Sequence, residues 1–469
     1  MSFRQCLAIG GGMAAGYLSQ VLGRRGSSLP GVVALRLNPA ALREFASRAA
    51  RGVVLVTGTN GKTTTNNMLA RILSAAGHRV VCNREGANMR PGVTAAFVRA
   101  SGLAGPRPYD YAVLEVDEAS FPRVAAEAQP RMVVVTNFFR DQLDRYGELD
   151  RTITLIRESI TGLPAAQLVL NADDPLVAQL GRLDYPVWYY GLAAHGHTAL
   201  GAAAREARFC PFCGTALRYS LYHYSQLGFY ACPGCGFARP KPAVEAHGVC
   251  QDGPGLAGTV HLQGRRIPLR LPTRGFYNIH NALAALTAAS LLGIETARSL
   301  AALALYEPAT GRLQRFTDRG RAVYLNLVKN PAGFNESLAL VLQAGGTRDI
   351  CLAINDNAAD GRDISWLWDV DFEALEGAPG LLRFVCCGQR AAEMAVRLKY
   401  AGLPEERLIV RPGFPAAVRE TLAGEGEAVY FLATYTALWP VEAELERLLG
   451  GAGEEEGLTG HVDRRSSVP

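Results

Sequence analysis

The sequence lacks the features of a membrane-spanning or secreted protein. No run in its 469 residues reaches the roughly 18 unbroken apolar residues that a transmembrane helix needs. The opening stretch, MSFRQCLAIGGGMAAGYLSQ, has no strongly basic start and no persuasive cleavage site, so we expect a small helix packed on the first domain rather than a signal peptide. Ten cysteines in a chain of this length do not suggest a disulfide framework. We expect a cytoplasmic protein, compatible with action at the inner face of a membrane.

The sequence also lacks a large excess of charge. Its net charge is +5 and the charged residues are scattered, so there is no footprint of a nucleic-acid-binding surface. This balance is at most compatible with anionic substrates or a membrane surface. Because 49% of the residues are hydrophobic and the chain is long, we expect large cores and two or three domains.

What the sequence does contain is a phosphate-binding loop at residues 53–65, VVLVTGTNGKTTT. The apolar start is typical of a central parallel strand. Gly58 and Gly61 allow a tight turn whose N–H groups converge on an anion. Lys62 would bring charge to the β and γ phosphates, and the Thr63 hydroxyl would reach a Mg²⁺ ion. The alternative, an ordinary strand–turn–helix junction, is disfavoured by Gly-Lys-Thr directly after a strand.

The loop departs from the common phosphate-loop pattern at one position. That pattern has a glycine five residues before the second glycine, and Val56 stands there in this chain. The form GTNGKTTT resembles the loop of the Mur ligase superfamily, ATP-dependent enzymes that join carboxylates to amines in peptidoglycan and folylpolyglutamate synthesis. The resemblance implies that ATP is bound by Gly58, Thr59, Asn60, Gly61, Lys62, Thr63 and Thr64.

Strand and helix patterns alternate along most of the chain, which predicts an α/β fold with parallel sheets and crossover helices. Strands are predicted at 53–57, 80–82, 111–116, 132–136, 167–170 and 186–190, and helices at 63–76 and within 278–306. A linker is predicted at 309–322, followed by strands at 322–328, 350–354, 382–386, 407–410 and 428–432. The predicted domains are an N-terminal helical segment at 1–40, a central ATP-binding domain of Mur ligase type at 41–315, a C-terminal Rossmann-like α/β domain at 316–450 and a disordered tail at 451–469.

A carboxylate stands at the carboxyl end of the predicted strand at 111–116, in the sequence LEVDE. Glu115 stands where α/β sheets place their ligands, and with Thr63 it would complete a shell of hard oxygen ligands for Mg²⁺. The simpler alternative is a solvated acid at the end of a strand. The resemblance favours the metal, because Mur ligases carry a metal-binding glutamate at this place.

A second metal site of the family is incomplete in this chain. The block VVVTNFFRDQLDRYGELD at 133–150 resembles a segment of the Mur ligases, but those enzymes carry a histidine where Gln142 stands here. That histidine helps to hold a second Mg²⁺ together with a carbamylated lysine about fifteen residues later. This chain has Arg157 at that distance, so we expect the second site to be altered or absent.

Two further segments resemble nucleotide-binding parts of the superfamily. In GFYNIHNALAA, Asn278 and Asn281 match an Asn-x-x-Asn motif that contacts the adenine, and their spacing places both on one face of a helix. The alternative is that Asn278 is an N-cap and Asn281 a polar surface residue. In GRLQRF, Arg312 matches the arginine that the superfamily brings to the phosphates, where it would stabilise charge during phosphoryl transfer.

Four cysteines form a motif that is independent of the nucleotide. They are arranged as two CxxC pairs, each followed by a glycine, in an insertion at about 205–240. This spacing is typical of a Cys₄ zinc ribbon, in which four thiolates leave no open position and the metal is structural. A redox dithiol or an iron–sulfur cluster is the less favoured alternative. The predicted zinc ligands are Cys210, Cys213, Cys232 and Cys235.

The segment INDNAADGRDISWLWDVDFE at 354–373 is too polar to be core. A solvated loop with Asx turns and helix caps is one interpretation. The segment also resembles the MurT family, the synthetase subunits of lipid II isoglutaminyl synthase, and this resemblance extends over essentially the whole chain. In that family an aspartate of the C-terminal domain completes the Cys–His pair of a glutaminase partner. Asp356 is our first candidate for this role and Asp360 the second.

The MurT resemblance implies amidation of the α-carboxylate of D-isoglutamate in the lipid II stem peptide, at the membrane surface. ATP would phosphorylate the carboxylate, with Lys62, Glu115 and Arg312 stabilising charge, and ammonia would attack the acyl phosphate. The chain has no Gly-x-Cys-x-Gly nucleophile, and Cys386 and Cys387 are interpreted as core. The ammonia is therefore expected from a GatD-like glutaminase subunit in a heterodimer.

Two other functions remain open from the sequence. One is a Mur or folylpolyglutamate-type ligase that adds an amino acid, against which Gln142, Arg157 and the zinc ribbon count. The other is a scaffold that binds ATP as a regulatory ligand and uses the ribbon to bind partners.

Overall fold

The computed structural model describes residues 3–21, 28–83, 87–102, 108–141, 149–194, 206–253, 255–308 and 310–450. The chain divides into two compact units, one of Met1–Ala309 with Asn330–Glu336 and the other of Thr310–Lys329 with Ser337–Pro469. The predicted tail at 451–469 lies outside the described residues. Among those described, no helix is both long enough and apolar enough to cross a bilayer.

The first unit is a mixed α/β structure. Its strands are β1 (Ala49–Thr57), β2 (Val80–Cys82), β3 (Tyr109–Glu115), β4 (Met132–Val135), β5 (Gln167–Asn171), β6 (Val187–Leu192), β7 (Arg218–Tyr224), β8 (Leu227–Ala231), β9 (Val244–Asp252), β10 (Gly255–Leu262) and β11 (Arg265–Leu271). All except β7 and β8 form one sheet in the order β11-β10-β9-β6-β5-β4-β1-β3-β2. Pairing is parallel from β9 to β2 and antiparallel where β10 and β11 extend the edge.

Helices cover both faces of this sheet, so its central strands are apolar on both sides. They are α1 (Phe3–Val21), α2 (Leu29–Leu37), α3 (Ala41–Ala46), α4 (Lys62–Ala75), α5 (Arg90–Ala100), α6 (Phe121–Ala128), α7 (Leu149–Thr161), α8 (Pro175–Ala178), α9 (Tyr277–Leu291) and α10 (Thr296–Ala304). Val53 and Leu55 of β1 face a core shared with α3, α5, α6 and α7, and Val54 and Val56 face a core shared with α4, α9 and α10. Strand β1 lies between β4 and β3, so its carboxyl end is flanked by a parallel strand on each side.

The N-terminal helices pack closely because glycines remove side chains from their contacts. A Cβ atom at Gly12 would lie 2.8 Å from the carbonyl oxygen of Pro30, and one at Gly31 would collide with the carbonyl of Pro91 at the start of α5. Gly12 of α1 and Gly31 of α2 therefore serve helix–helix contact, the role that small residues have where backbones approach.

The second unit has a six-stranded sheet. Its strands are β12 (Gln314–Asp318), β13 (Arg321–Leu327), β14 (Arg348–Ala353), β15 (Leu381–Cys387), β16 (Leu408–Val410) and β17 (Ala428–Ala433). Their order is β12-β13-β17-β14-β15-β16, and all pairs except β12 with β13 are parallel. The helices are α11 (Pro331–Gln343), which carries residues of both units, α12 (Ala391–Tyr400), α13 (Phe414–Leu422) and α14 (Tyr435–Leu449).

The structure contains elements that the sequence-based expectation lacks. The linker predicted at 309–322 is wrong in its second half, because Arg319 and Gly320, at φ 49° and 84°, form a two-residue turn that joins β12 to β13. Strands β7 to β11 were not predicted as strands. The helical pattern predicted at 278–306 forms two helices, since Gly293 at φ 81° ends the first.

Candidate functional site

The loop between β1 and α4 turns as the glycine-rich motif requires. Gly58 and Gly61 have φ values of 116° and 82°, which residues with a Cβ rarely adopt. A Cβ at Gly58 would collide with the Thr136 hydroxyl, and one at Gly61 with the side-chain oxygen of Asn281. Gly61 is the residue before α4, so the loop leads directly into the N–H groups of the first helical turn.

The segment after β4 holds this loop through hydrogen bonds. The N–H of Thr59 donates to the Asn137 carbonyl at 2.8 Å, and the N–H of Asn60 donates to the Asn137 side chain at 2.8 Å. The Thr136 hydroxyl and the Asn137 amide both donate to the Asn60 carbonyl, at 2.7 and 3.0 Å. From the sequence alone, the Thr-Asn pair after this strand is only a point of resemblance to the Mur ligases. In the structure these residues are the outer support of the phosphate loop.

Asn60 is also paired with a residue that sequence reasoning missed. The two side-chain amides of Asn60 and Asn330 exchange hydrogen bonds at 3.0 and 3.2 Å. Asn330 precedes α11, and its side chain accepts the N–H of Gly333 at 2.9 Å. About 270 residues separate the partners, so spacing along the sequence gave no signal for this contact.

Lys62 is buried beneath the loop rather than extended into solvent, with 6% of its surface exposed. Its ammonium donates to the Gly58 carbonyl at 2.6 Å and lies 3.1 Å from the Glu118 carboxylate. Burial alone would lower the pKa of Lys62, but Glu118, Asp117 and Glu115 offset that effect, and the pKa is raised. Lys62 is therefore a fixed positive charge. Sequence reasoning missed Glu118 because LEVDE contains two glutamates, Glu115 and Glu118, and the family resemblance pointed to Glu115.

Glu115 is buried, which excludes the solvated strand-end alternative, since only 2% of its surface is exposed. One carboxylate oxygen accepts the Asn88 amide at 3.0 Å, while Asn83 bonds both the N–H and the carbonyl of Glu115. The other oxygen, Oε2, is buried without a hydrogen-bond partner among the described residues. A buried carboxylate oxygen without a donor is what a hard cation would satisfy, so Glu115 fits Mg²⁺.

Thr63 and Thr64 lie in the first turn of α4 and are buried. Strand β1, which precedes the phosphate loop, pairs in register with β3, with Val56 opposite Glu115. The parallel sheet thus brings the carboxyl ends of both strands to one edge, as the sequence predicted. Gln142 lies outside the described residues. Arg157 lies on the exposed side of α7, and what it does for a second metal stays a prediction.

Asn278 and Asn281 are both buried within α9, so the alternative of an N-cap plus a surface residue is wrong. The Asn281 amide donates to the Asn278 side chain at 3.1 Å, and its oxygen accepts the Thr65 hydroxyl at 3.3 Å. Asn278 donates in turn to the Arg274 carbonyl at 2.7 Å. Asn281 therefore backs the phosphate loop at Gly61. Contact with adenine stays a prediction.

Two aspartates after β5, which sequence reasoning missed, support the same region. Asp173 accepts from Arg239 at 2.6 Å and lies 2.8 Å from the His280 imidazole. Burial would raise the pKa of Asp173, but His280, His223 and Arg239 hold it well below its usual range. Burial raises the pKa of Asp174 to about 7, although its side chain accepts N–H bonds from Phe138 and Leu176.

The four cysteines meet as the spacing predicted. Their sulfur atoms all lie within 4.8 Å of one another, and two pairs are 3.4 and 3.5 Å apart. Zinc bonded to four thiolates at ~2.3 Å would set its sulfurs ~3.8 Å apart. The two close sulfur pairs would need to separate only slightly to hold a tetrahedral ion. Gly214 and Gly236, at φ 72° and 74°, close the two turns with nothing near a Cβ position.

The hairpin of β7 and β8 ties this cluster to the edge that carries the phosphate loop. Gln226, in its turn, donates to the Phe138 carbonyl at 2.6 Å. The N–H of Gly228 donates to the Asp173 carbonyl, and the Tyr230 hydroxyl donates to the Ala172 carbonyl. The ribbon is therefore anchored to the ends of β4 and β5.

In the second unit, the loop after β14 separates the two candidate aspartates. Asp360 is buried and accepts both the N–H and the hydroxyl of Thr436. Burial raises the pKa of Asp360 despite these bonds. Asp356 keeps 19% of its side chain exposed and pairs with the Arg390 guanidinium. Asp356 is thus partly open to solvent, whereas Asp360 is bonded within the unit; which of them meets a partner stays a prediction.

Arg312 lies in the second unit just before β12 and is half-buried. Its predicted contact with the phosphates stays a prediction. Cys386 and Cys387, at the end of β15, are buried, and the second packs in the core as the sequence indicated.

Two family models match the chain. The Mur ligase middle domain matches residues 56–212, which include the phosphate loop and Glu115. The MurT ligase C-terminal model matches residues 327–438, which include the loop of Asp356 and Asp360.

Two curated relatives are similar over nearly the full length. One, from Staphylococcus aureus strain N315, is named subunit MurT of the glutamine-hydrolysing lipid II isoglutaminyl synthase and is 38% identical over 448 residues, 96% of this chain and 99% of the relative. Its counterpart from Streptococcus pneumoniae strain R6 is 33% identical over 439 residues, 93% of this chain and 96% of the relative.

Among solved structures, a pseudomurein peptide ligase type C from Methanothermus fervidus matches with a TM-score of 0.66 at 24% identity, covering 85% of this chain and 79% of that one. This likeness concerns the fold, which is that of the Mur ligases, and confirms the α/β class predicted from the sequence.

Proposed function

This chain belongs to the MurT family of Mur ligases, and from that premise we propose that it is the ATP-dependent synthetase subunit of a lipid II isoglutaminyl synthase. The reaction converts the α-carboxylate of D-isoglutamate in the lipid II stem peptide into the amide of D-isoglutamine. The observation that carries the proposal is the similarity to two subunits of that name over at least 93% of the chain, around a fully built phosphate loop.

The first chemical step would use the site of the first unit. A carboxylate oxygen of the substrate attacks the γ-phosphorus of ATP, ADP leaves and an acyl phosphate forms. Lys62 is fixed, charged and turned toward the loop carbonyls, so a nucleotide phosphate could take over its contacts at small entropic cost. Glu115 and Thr63 would hold Mg²⁺, which neutralises charge on the phosphates when bound.

The surrounding amides would act as positioning groups. Asn137 and Asn330 fix Asn60 from two sides, and Asn281 fixes the Gly61 turn. A loop held in this way keeps its N–H groups aimed before the nucleotide arrives, which removes an ordering cost from binding. We further propose that Asn278 and Asn281 contact the nucleotide and that Arg312 stabilises charge on its phosphates.

The second step needs ammonia, which attacks the acyl carbon and displaces inorganic phosphate. We propose that a GatD-like glutaminase subunit supplies it in a heterodimer, consistent with the glutamine-hydrolysing names of the relatives. Asp356 is the better candidate to orient the histidine of that partner, because it is partly exposed and paired with Arg390. Asp360 has its acceptor capacity occupied by Thr436.

The cysteine cluster is proposed to hold a structural Zn²⁺. Four thiolate ligands leave no open position for a substrate. The β7–β8 hairpin, which lies between the two CxxC pairs, binds Phe138 and Asp173 beside the nucleotide site. The metal would thereby stabilise the support of the phosphate loop without touching ATP.

The test is phosphate release by the purified chain with lipid II, supplied with ammonium chloride or with glutamine. Ammonium should support turnover by the chain alone, and glutamine only when the glutaminase is added. Stimulation by free amino acids instead of ammonium would establish an amino-acid-adding ligase. Absence of any substrate-dependent hydrolysis would leave an ATP-binding scaffold.

A further inference from the structure

Helix α1 presents an apolar face to solvent. Phe3, Tyr17, Leu18 and Val21 are exposed over 78%, 72%, 59% and 65% of their surfaces, and Leu7 over 44%. With Gly10 and Ala14, these residues recur at intervals of three and four, so they share one side of the helix. Arg4 is the only charged residue of α1.

The opposite side of α1 packs against the rest of the first unit. Ala8 and Ile9 are buried in the core of the first unit, and Gly12 packs on the start of α2. A surface helix of a soluble protein normally has one apolar face toward the core and a polar face outside. Here both faces are apolar, and a contiguous exposed patch of this kind marks a binding surface.

Helix α2 extends the patch. A Cβ at Gly11 of α1 would lie 2.6 Å from a methyl group of Leu37, so the two helices touch at this point. Leu29 and Leu37 are exposed over 41% and 43% of their surfaces. We define the N-terminal apolar face by its large side chains: Phe3, Leu7, Tyr17, Leu18, Val21, Leu29 and Leu37.

The charge of the chain is concentrated in the same segment. Residues 1–43 contain five arginines, at positions 4, 24, 25, 36 and 43, and no lysine, aspartate or glutamate; the first acid is Glu44. The chain has 48 basic and 43 acidic residues, so the remaining residues contain 43 of each and have no net charge. The whole net charge of +5 therefore belongs to the segment that carries the N-terminal apolar face.

We propose that the N-terminal apolar face docks on the surface of an anionic phospholipid bilayer. Apolar side chains, a tyrosine and a basic excess without acids are the combination by which helices lie in a charged membrane interface. A protein partner or a second copy would not require the segment to hold every net positive charge of the chain. The purpose of docking rests on the proposed function, because lipid II is anchored in a membrane by its lipid tail.

The experiment is flotation of the full-length chain, alone and with its glutaminase, on vesicles that contain no lipid II. Vesicles of phosphatidylcholine with phosphatidylglycerol should capture the protein, pure phosphatidylcholine should capture much less, and added salt should weaken capture. Substituting Leu7→Gln together with Leu18→Gln should lower the partition coefficient about tenfold or more. The matched control is Leu305→Gln, an exposed leucine of the first unit at 67%, which should leave capture unchanged.

The charge contribution is tested separately with Arg4→Gln and Arg36→Gln, both on exposed positions of α1 and α2. These substitutions should reduce capture by anionic vesicles and leave the weak capture by neutral ones unchanged. Equal capture of the wild type by both vesicle types, or no loss in the leucine variant, overturns the proposal. The proposal is also overturned if the leucine variant keeps wild-type capture by vesicles but changes the mass of the protein in light scattering or its affinity for the glutaminase. The N-terminal apolar face would then bind protein rather than lipid.

Amidation of a short-chain, water-soluble lipid II analogue separates this proposal from the proposed function. The leucine variant should amidate that analogue at the wild-type rate but lose rate on lipid II embedded in vesicles. If neither protein amidates the analogue, the proposed function fails, while the vesicle result still decides the docking.

Discussion

Two loops follow parallel strands in this molecule, and they treat their polar side chains in opposite ways. In the loop after β1, Asn60 is held by Asn137 and Asn330, and Lys62 is buried against Glu118. In the loop after β14, Asp360 is held by Thr436, but Asp356 remains partly exposed. The first loop has its polar side chains bonded within the first unit, whereas the second leaves one carboxylate partly exposed.

The difference indicates which molecule each loop serves. A phosphate site works best when its donors are fixed before the ligand arrives, because the fixed groups need no ordering on binding. A carboxylate that completes a catalytic group on another chain must instead stay accessible. The comparison therefore predicts that damage to the two loops will be distinguishable by the source of ammonia.

The largest effect is expected from Asp356→Asn. Glutamine-dependent amidation with the glutaminase should fall about 10³-fold or more, because an amide cannot orient and stabilise the partner's imidazolium. Ammonium-dependent amidation should not change. The matched control is Asp360→Asn, which should alter stability more than the ratio of the two activities. Equal loss of both activities in the Asp356 variant would remove the distinction between the loops.

Lys62→Met should lower amidation about 10²- to 10³-fold with either nitrogen source, because it removes a fixed positive charge from the phosphates. The measurement is initial rate with ammonium and with glutamine plus glutaminase, at saturating ATP. A variant that lost only the glutamine-dependent rate would show that the phosphate loop also controls the partner.

Cys213→Ser, or removal of metal by a chelator, should lower the free energy of unfolding of the chain by at least about 3 kcal/mol, because a structural zinc site contributes directly to folding. Loss of the ribbon should also raise KM for ATP, since Gln226 then no longer holds Phe138. Urea unfolding and metal content check the first part. Cys250→Ser, an exposed cysteine outside the cluster, is the control and should change neither quantity.

The smallest effect is a pH dependence of stability. Burial raises the pKa of Asp174 to about 7, so the folded state binds its proton more tightly than the unfolded state does. This stabilisation is full below about pH 4 and is lost as the pH rises through about 7, a change of about 2–4 kcal/mol. Asp174→Asn stays neutral and should lack this decline in urea unfolding at a series of pH values. If the free energy of unfolding changes with pH in the same way in both proteins, Asp174 is not the source of the pH dependence.

The sequence predicted the parts of the site that local patterns encode. The strand–loop–helix of Gly58–Lys62, the four-cysteine cluster and the alternating α/β order depend on residue type at short spacing, and the fold and the MurT family are confirmed. Asn330, Asp173 and Glu118 were missed because each acts through a partner distant in the sequence or a choice between neighbouring acids. Such contacts depend on tertiary packing, which single-sequence patterns do not contain.

The β12 strand shows a different reason for a wrong prediction. It lies inside the predicted linker at 309–322, ATGRLQRFTDRGRA, which is rich in arginine and glycine, a composition common in linkers. The backbone at Arg319 and Gly320 nevertheless makes a hairpin, because both adopt positive φ. Turn chemistry rather than composition therefore decided the structure of this segment.

The hydrogen bonds of Asp173 determine how the zinc ribbon can be manipulated. Arg239, which follows the ribbon hairpin, lies 2.6 Å from this buried carboxylate, and the imidazole of His223, on β7, lies 3.7 Å from it. Shortening the segment to a plain linker would leave a buried anion with fewer partners, at a cost typical of a broken ionic network. The insertion is thus not a detachable accessory, and a minimal version of this ligase would need a neutral residue at position 173 before the ribbon could be removed.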